Sequence, residues 1–298
     1  MPQPDVSVII TTYQRPRQLS RALRALAEQD YPRDGFEVIV VDDGGSQPLN
    51  RVIPPGERDL EVRFIRQENA GPAAGRNAGV AQARGDLLAF TDDDCEPRRD
   101  WLSALKAAAD SWPGSMLGGR TVSGLPRQLC SVASQHIHDT VYDFFNAVPG
   151  DPRFFASNNM LLPAAQFRSI GGFDAGFRIA AEDRDLCERW RSAGRRMIYV
   201  PSAVVWHFHR LRLAGFIRQH FGYGRGAARF HRLRIRRGSS RLRDHTGFHS
   251  NWRVWLFRPW REESGFRAVL LILLLLIWQA ANVAGFCYGW LFDAGSRR

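Results

Sequence analysis

An α/β fold on a mostly parallel sheet is predicted by three observations. Short apolar runs, the first of them rich in β-branched residues, recur at residues 6–12, 36–43, 62–65 and 86–91. Segments of helical spacing separate them, and strands alternating with helices favour parallel pairing. Three of the runs end in polar clusters, Thr11 to Tyr13, Asp42-Asp43 and Asp92 to Asp94, and in such sheets ligands gather beyond the carboxyl ends of the strands.

The elements follow in order. "VSVIITT" at 6–12 has the composition of a strand buried on both faces. Arg15-Pro16 then opens a helix with Leu19, Leu23 and Leu26 on one side. "FEVIVVDDGG" is a second strand running into a turn, "VRFI" a third, and "AGPAAGRNAGVAQARG" a loop feeding a helix. "DLLAFTDDD" is the fourth strand, and a helix follows Pro97 to about Asp110. Residues 123–155 resist assignment and read as a variable loop or an acceptor-facing insertion. "FASNNMLLPAAQF" is a strand leading into a helix at Pro163, and "GGFDAGF" is a turn-rich loop. "AEDRDLCERWRSAG" is a helix with acids in its first turn and Gly194 at its end. "RRMIYVPSAVVWHFH" supplies one or two more strands, ending at His207 and His209.

The chain of 298 residues can bury a sizeable core. Its formal charge of +11 and pI near 10.4 imply an anionic partner. Lys106 is the only lysine, and residues 210–243 hold eleven arginines and no acid. Nucleic-acid binding would rest on arginine alone, so lipid is the better match once the carboxyl-terminal tail is considered. That tail, residues 268–292, has no charge and can cross a hydrocarbon core of about 30 Å. Gln279, Asn282 and two glycines weaken its second half, so an in-plane helix stays open beside a spanning one. The first residues lack a basic-then-apolar leader, and the arginine excess before the tail predicts a cytoplasmic catalytic portion. The four cysteines lack the short spacing of a zinc or redox site.

Three consecutive aspartates can be an acidic turn. They can also serve a nucleotide diphosphate, whose charge is commonly neutralised by a divalent ion held on one or two carboxylates. Three polar clusters at strand ends favour the second reading.

Taken in order, "VSVIITTYQRP", "VIVVDDGG", "NAGPAAGRNAG", "LLAFTDDD", "ASNNMLLP", "GGFDAGF", "AEDRDLCERWRSAG" and "WH" resemble family 2 glycosyltransferases of the GT-A fold. The resemblance covers about residues 6–207. It implies an inverting transfer from a nucleotide-sugar donor, UDP-linked in most relatives, to a hydroxyl acceptor, with Mn2+ or Mg2+ as cofactor. On the matching positions it implies that Asp42 accepts a hydrogen bond from the nucleotide base, that Thr11 and Tyr13 line the base pocket, and that Arg15, Arg76 and Asp93 belong to the nucleotide site. Asp92 would contact the ribose, and Asp94 and His207 would hold the metal, with His209 a weaker candidate. Cys95 would be a bystander. Asp183 would be the catalytic base, with Glu182 in reserve. The chain departs from the family pattern at Gly45, where serine is common, and at Gly75, where alanine is common, the latter a difference expected to matter little. Gln219 lacks the Arg-Trp of processive relatives, which disfavours a polymer-extruding synthase.

The expected organisation is a catalytic domain over 1–207, with a nucleotide-binding half at 1–97 and an acceptor-binding half at 98–207. A basic membrane-proximal segment follows at 208–265, then a spanning or membrane-associated helix at 266–292. The expected partners are the nucleotide-sugar donor, a lipid-linked or cell-envelope glycan acceptor and an anionic membrane at its cytoplasmic face. The alternatives are a transferase with a soluble acceptor and a catalytically silent sugar-nucleotide or membrane-binding protein.

Overall fold

In the computed structural model of the chain, residues 3–46, 49, 60–238 and 252–293 are described. Arg241 and Arg243 of the basic run lie outside them. The described chain divides into two units, one of residues up to 122, 148–178 and 182–208, the other of residues 123–147, 179–181 and 209 onward.

The first unit carries one eight-stranded sheet. Its strands are β1 (Val6–Thr12), β2 (Phe36–Asp43), β3 (Val62–Gln67), β4 (Leu87–Asp92), β5 (Cys95–Pro97), β6 (Met116–Ser123), β7 (Asn159–Pro163) and β8 (Met197–His207), in the spatial order β3-β2-β1-β4-β7-β6-β8-β5. Pairing is parallel from β3 to β4. It turns antiparallel at β7, so the whole sheet is mixed. Every residue of β2 is buried, as expected of a strand covered on both faces.

Helix α1 (Pro16–Ala27) starts with proline in its first turn and buries Leu19, Leu23 and Leu26, the face its spacing predicted. Helix α2 (Pro72–Ala81) lies so close to the sheet that a β-carbon at Gly79 would come within 2.6 Å of the Ile9 side chain. Helices α3 (Trp101–Ser111), α5 (Ala164–Ser169) and α6 (Glu182–Ser192) complete the unit. One core of Val8, Ile10, Leu23, Val38, Val40, Trp101 and Leu161 lies under the sheet. In a satellite of Phe90, Phe167 and Phe173 the first two rings each meet Phe173 edge to face, Phe90 at 5.2 Å, and are tilted against one another.

The second unit is helical. Residues 123–155, left unassigned above, contain helix α4 (Leu129–Phe145). Its apolar positions Val132, Ala133 and Ile137 are diluted by Ser131, Gln135, His136 and His138, and no side chain caps its start. The apolar face becomes evident only from its partners. The basic stretch is a 24-residue helix, α7 (Leu213–Arg236), followed by α8 (Trp252–Glu262) and α9 (Gly265–Phe292). Val132 and Ala133 pack with Phe216, Trp255, Leu271, Leu275 and Trp278 in a second core. Among the described residues α9 is the one helix long and apolar enough to cross a membrane.

Candidate active site

The strand registers set the site. Thr12 of β1 lies beside Asp42 of β2, and Thr11 lies beside Asp92 of β4. The polar ends of three strands therefore fall level along one edge.

Asp42 and Asp43 first serve the backbone. Asp42 accepts the Gly45 N–H at 2.7 Å, and a β-carbon at Gly45 would lie 2.5 Å from the same carboxylate oxygen. Glycine at 45 thus suits a tightly closed turn. Asp43 accepts Gln67 Nε2 at 2.7 Å and the backbone N–H groups of Ala70 and Gly71 at 2.9 Å, which anchors the loop entering α2. Gly71 sits at φ +91, and a β-carbon there would approach the Arg178 carbonyl to 2.6 Å. At Gly75 a methyl group would come within 2.8 Å of Thr11 Cγ2, so an alanine there would require its neighbour to move.

The acidic triplet sends its members in different directions. Asp92 accepts from Arg76 Nη2 at 2.8 Å and keeps 32% of its side chain exposed. Asp93 is buried, accepting from Thr12 Oγ1 at 2.6 Å and from Arg15 Nη1 at 3.2 Å. Burial and the charge of Asp94 push the Asp93 carboxyl up to about 7, against the opposing pull of Arg15 and Thr12. Asp94 faces Arg15 Nη1 at 3.2 Å and His207 Nε2 at 3.3 Å.

The last of these pairs exists because β5 pairs antiparallel with β8, setting Cys95 opposite His207, while the Asp94 carbonyl accepts the Phe208 N–H at 2.8 Å. Burial lowers the proton affinity of His207, yet Asp94 raises it further, so the net shift is upward. A carboxylate oxygen and an imidazole nitrogen form a donor set that suits manganese. Asp94 and His207 fit a divalent ion. The Cys95 side chain is buried in the core, consistent with a bystander.

Arg76 ties two parts of the unit together. It is buried to 4% exposure, and Nη1 donates to Glu182 at 2.7 Å while Nη2 donates to Asp92. Glu182 is consequently engaged. The neighbouring Asp183 is partly buried and bonded through Oδ1 to the Arg184 N–H at 2.8 Å. Burial, followed by repulsion from Glu182, holds its carboxyl well above the ordinary range. The residue before this pair, Ala181, has φ +76, a conformation strained for a residue with a side chain. Tyr13 is 47% exposed, which excludes ordinary core packing for it.

Two supporting residues, Asp185 and Arg189, escaped the sequence reading, and Asn77 entered it only as the second member of the family's Arg-Asn pair. Asn77 bonds both ways with Phe173, donating to its carbonyl at 2.7 Å and accepting its N–H at 3.0 Å, and so fastens the glycine-rich loop. Asp185 is fully buried and holds Arg189 at 2.7 Å, which in turn donates to the carbonyls of Ile170 and Gly172. The four-residue spacing of Asp185 and Arg189 on a helix was the available signal.

Comparison with known proteins points one way. Residues 7–181 match the family model described as Glycosyl transferase family 2, and residues 128–292 match Glycosyl transferase family group 2. A pre-mycofactocin glycosyltransferase of Mycobacterium tuberculosis is 32% identical over 229 residues, covering 75% of this chain and 47% of that protein. A validoxylamine A glucosyltransferase of Streptomyces hygroscopicus is 30% identical over 224 residues, covering 64% of this chain and 52% of that protein. The chain spans about half the length of these curated relatives. Among solved structures, a mannosyltransferase from Pyrobaculum calidifontis in complex with GDP-Man and Mn2+ aligns with a TM-score of 0.69 at 22% identity, over 98% of this chain and 88% of that one. TarS of Staphylococcus aureus in complex with UDP-GlcNAc aligns with a TM-score of 0.52 at 16% identity, over 96% and 90%. These likenesses establish a GT-A-like fold. With the strand ends, the acidic triplet and the glycine-rich loop all inside the matched residues, this chain belongs to glycosyl transferase family 2.

Proposed function

We propose that this chain is a divalent-cation-dependent inverting glycosyltransferase that moves a sugar from a nucleotide diphosphate donor to a hydroxyl acceptor. The observation that carries the reading is the Arg76 bridge, which joins Asp92 at the end of β4 to Glu182 at the start of α6. It makes one constellation of the donor-side acids and the turn that bears the base.

In this reading Asp42, Thr11 and Tyr13 receive the base, and Asp92, with Arg15, Arg76 and Asp93 behind it, positions ribose and phosphates. Asp94 and His207 would hold Mn2+ or Mg2+, which supplies charge neutralisation to the departing diphosphate. Asp183 takes the proton of the acceptor hydroxyl as its oxygen attacks the anomeric carbon opposite the leaving group. Glu182, held by Arg76, is the poorer base. A raised proton affinity at Asp183 suits a group that must accept a proton near neutral pH.

The acceptor is a lipid-linked or cell-envelope glycan presented at the cytoplasmic face of the membrane. The apolar helix α9 and the arginines of α7 support that placement. The family resemblance favours UDP, whereas the Pyrobaculum calidifontis protein was solved with GDP-Man. The test is nucleoside diphosphate release by detergent-purified protein from a panel of UDP and GDP sugars, with membrane extract as acceptor source. Metal-dependent turnover of one donor, lost in Asp94→Ala and strongly reduced in Asp183→Asn, is expected. Turnover unaffected by both substitutions, or none with any donor and extract, would overturn the assignment.

A further inference from the structure

We propose that α9 lies in the plane of an anionic bilayer, with one face against the protein and the other on lipid, and does not cross the membrane. The inference stands on the helical unit alone and does not depend on the transferase reading.

Charge accompanies the protein-facing side of α9 along its length. Near its carboxyl end α7 and α9 touch backbone to backbone: a β-carbon at Gly285 would lie 2.0 Å from the Phe221 carbonyl oxygen, and one at Gly224 would lie 2.1 Å from that of Asn282. Along the same seam Arg225 forms two bonds of 2.9 Å with Asp293. Arg232 donates to the carbonyls of Gly289 and Trp290 at 2.9 and 3.1 Å, satisfying acceptors that the end of α9 leaves open.

Nearer the middle, Leu271, Leu274, Leu275 and Trp278 pack with residues of α4 and α8, including an edge-on contact of Trp255 with Trp278 at 5.5 Å. One helical turn beyond Trp255, Arg258 binds Asp143 at 2.7 Å and Glu262 at 2.8 Å, and Glu262 also faces His136 at 3.3 Å. If α9 spanned, its apolar middle would sit at bilayer depth, and these ion pairs and the arginines of α7 would go with it. Charged side chains are rare and costly at that depth.

The opposite side of α9 has a different character. Phe266, Val269, Leu273, Leu276, Ala280 and Val283 are exposed at three- and four-residue spacing, forming one apolar stripe. The stripe continues through Tyr288, Trp290 and Leu291 to the end of a 28-residue helix, about 42 Å long. Helix α8 adds exposed Phe257 and Trp260 between exposed Arg253 and Arg261. An apolar surface with aromatic residues and adjoining arginine is the pattern of a helix seated at the headgroup boundary of an anionic membrane.

Two experiments decide it. The full-length chain, tagged at both ends, is produced in cells, and sealed vesicles with the cytoplasmic face outward are treated with protease. Both tags should be cleaved without detergent. A carboxyl-terminal tag protected until detergent is added, with the amino-terminal tag cut, would overturn the proposal. Purified full-length protein is then floated with phosphatidylglycerol or phosphatidylcholine vesicles. Binding should favour phosphatidylglycerol, and Leu273→Glu with Leu276→Glu should lower it about tenfold while circular dichroism stays unchanged. Equal binding of the two lipids would overturn the anionic seat, and a double variant that turns a dimer into a monomer yet floats as before would make the stripe a contact between copies. Should the double variant misfold, the tag experiment on the unaltered chain still gives the answer.

Discussion

In the first unit Arg76 is buried and its two terminal nitrogens are engaged by Asp92 and Glu182. In the second, Arg225 and Arg232 reach along the rim of α9 to Asp293 and to backbone carbonyls, and both stay only partly buried. One guanidinium organises carboxylates inside a fold, where the low dielectric strengthens each contact. The others finish a helix end at the surface, where water screens them. The same residue type therefore serves the proposed chemical site in one unit and the proposed attachment surface in the other. The glycines divide likewise. At Gly75 a β-carbon would meet the methyl end of a side chain, but at Gly285 it would meet backbone.

Predictions that break or sharpen this contrast can be ranked by size. Asp183→Asn should lower kcat by about 10²–10⁴-fold, the usual contribution of a general base, in single-turnover assays with saturating donor. The same base gives the rate its pH dependence. Because the Asp183 carboxyl is raised, and only its ionised form accepts a proton, kcat should rise with pH along an acid limb displaced above the ordinary carboxylate range. Glu182→Gln removes a repelling charge and should move that limb to lower pH; an unmoved limb would assign it to another group.

Next in size is Arg76→Met, which leaves Glu182 buried beside Asp92 without its partner. A loss of about 3–5 kcal/mol in denaturant unfolding is expected, the cost typical of an uncompensated buried charge. A loss below about 1 kcal/mol, the scale of surface pairs, would place Arg76 with the arginines of the second unit.

In that second unit, Gly285→Leu should destabilise by about 1–3 kcal/mol by forcing apart α7 and α9, read as a fall in thermal midpoint. The smallest effect is expected at Ala181. Glycine relieves the positive φ but loosens the unfolded chain, for a net stabilisation of about 0.5 kcal/mol in the denaturant midpoint. A loss of stability would show that the methyl group packs better than its backbone suggests.

Much of the first unit was legible in the sequence because its signals are local. The short apolar runs became β1, β2 and β4, and Leu19, Leu23 and Leu26 became the buried face of α1. Helix α4 was not legible. Its apolar face is thin, and it is completed by Phe216, Trp255 and Leu271, far along the chain. Helix α7 was hidden for a related reason: Gly222, Gly224 and Gly226 lower its helix propensity, and only the close approach of the Ile179 side chain at the first and of the Asn282 and Ala180 backbone at the other two accounts for them.

By itself the sequence determined the strands, the acids at their ends and the concentration of arginine ahead of an apolar tail, because residue type and spacing fix local geometry and charge. Only the tertiary structure decided that Arg76 joins Asp92 to Glu182, that β5 and β8 carry Asp94 to His207, and that the arginines of α7 run beside α9. Those outcomes depend on which distant segments pack together, and a pairing between residues a hundred positions apart leaves no periodic trace in either segment.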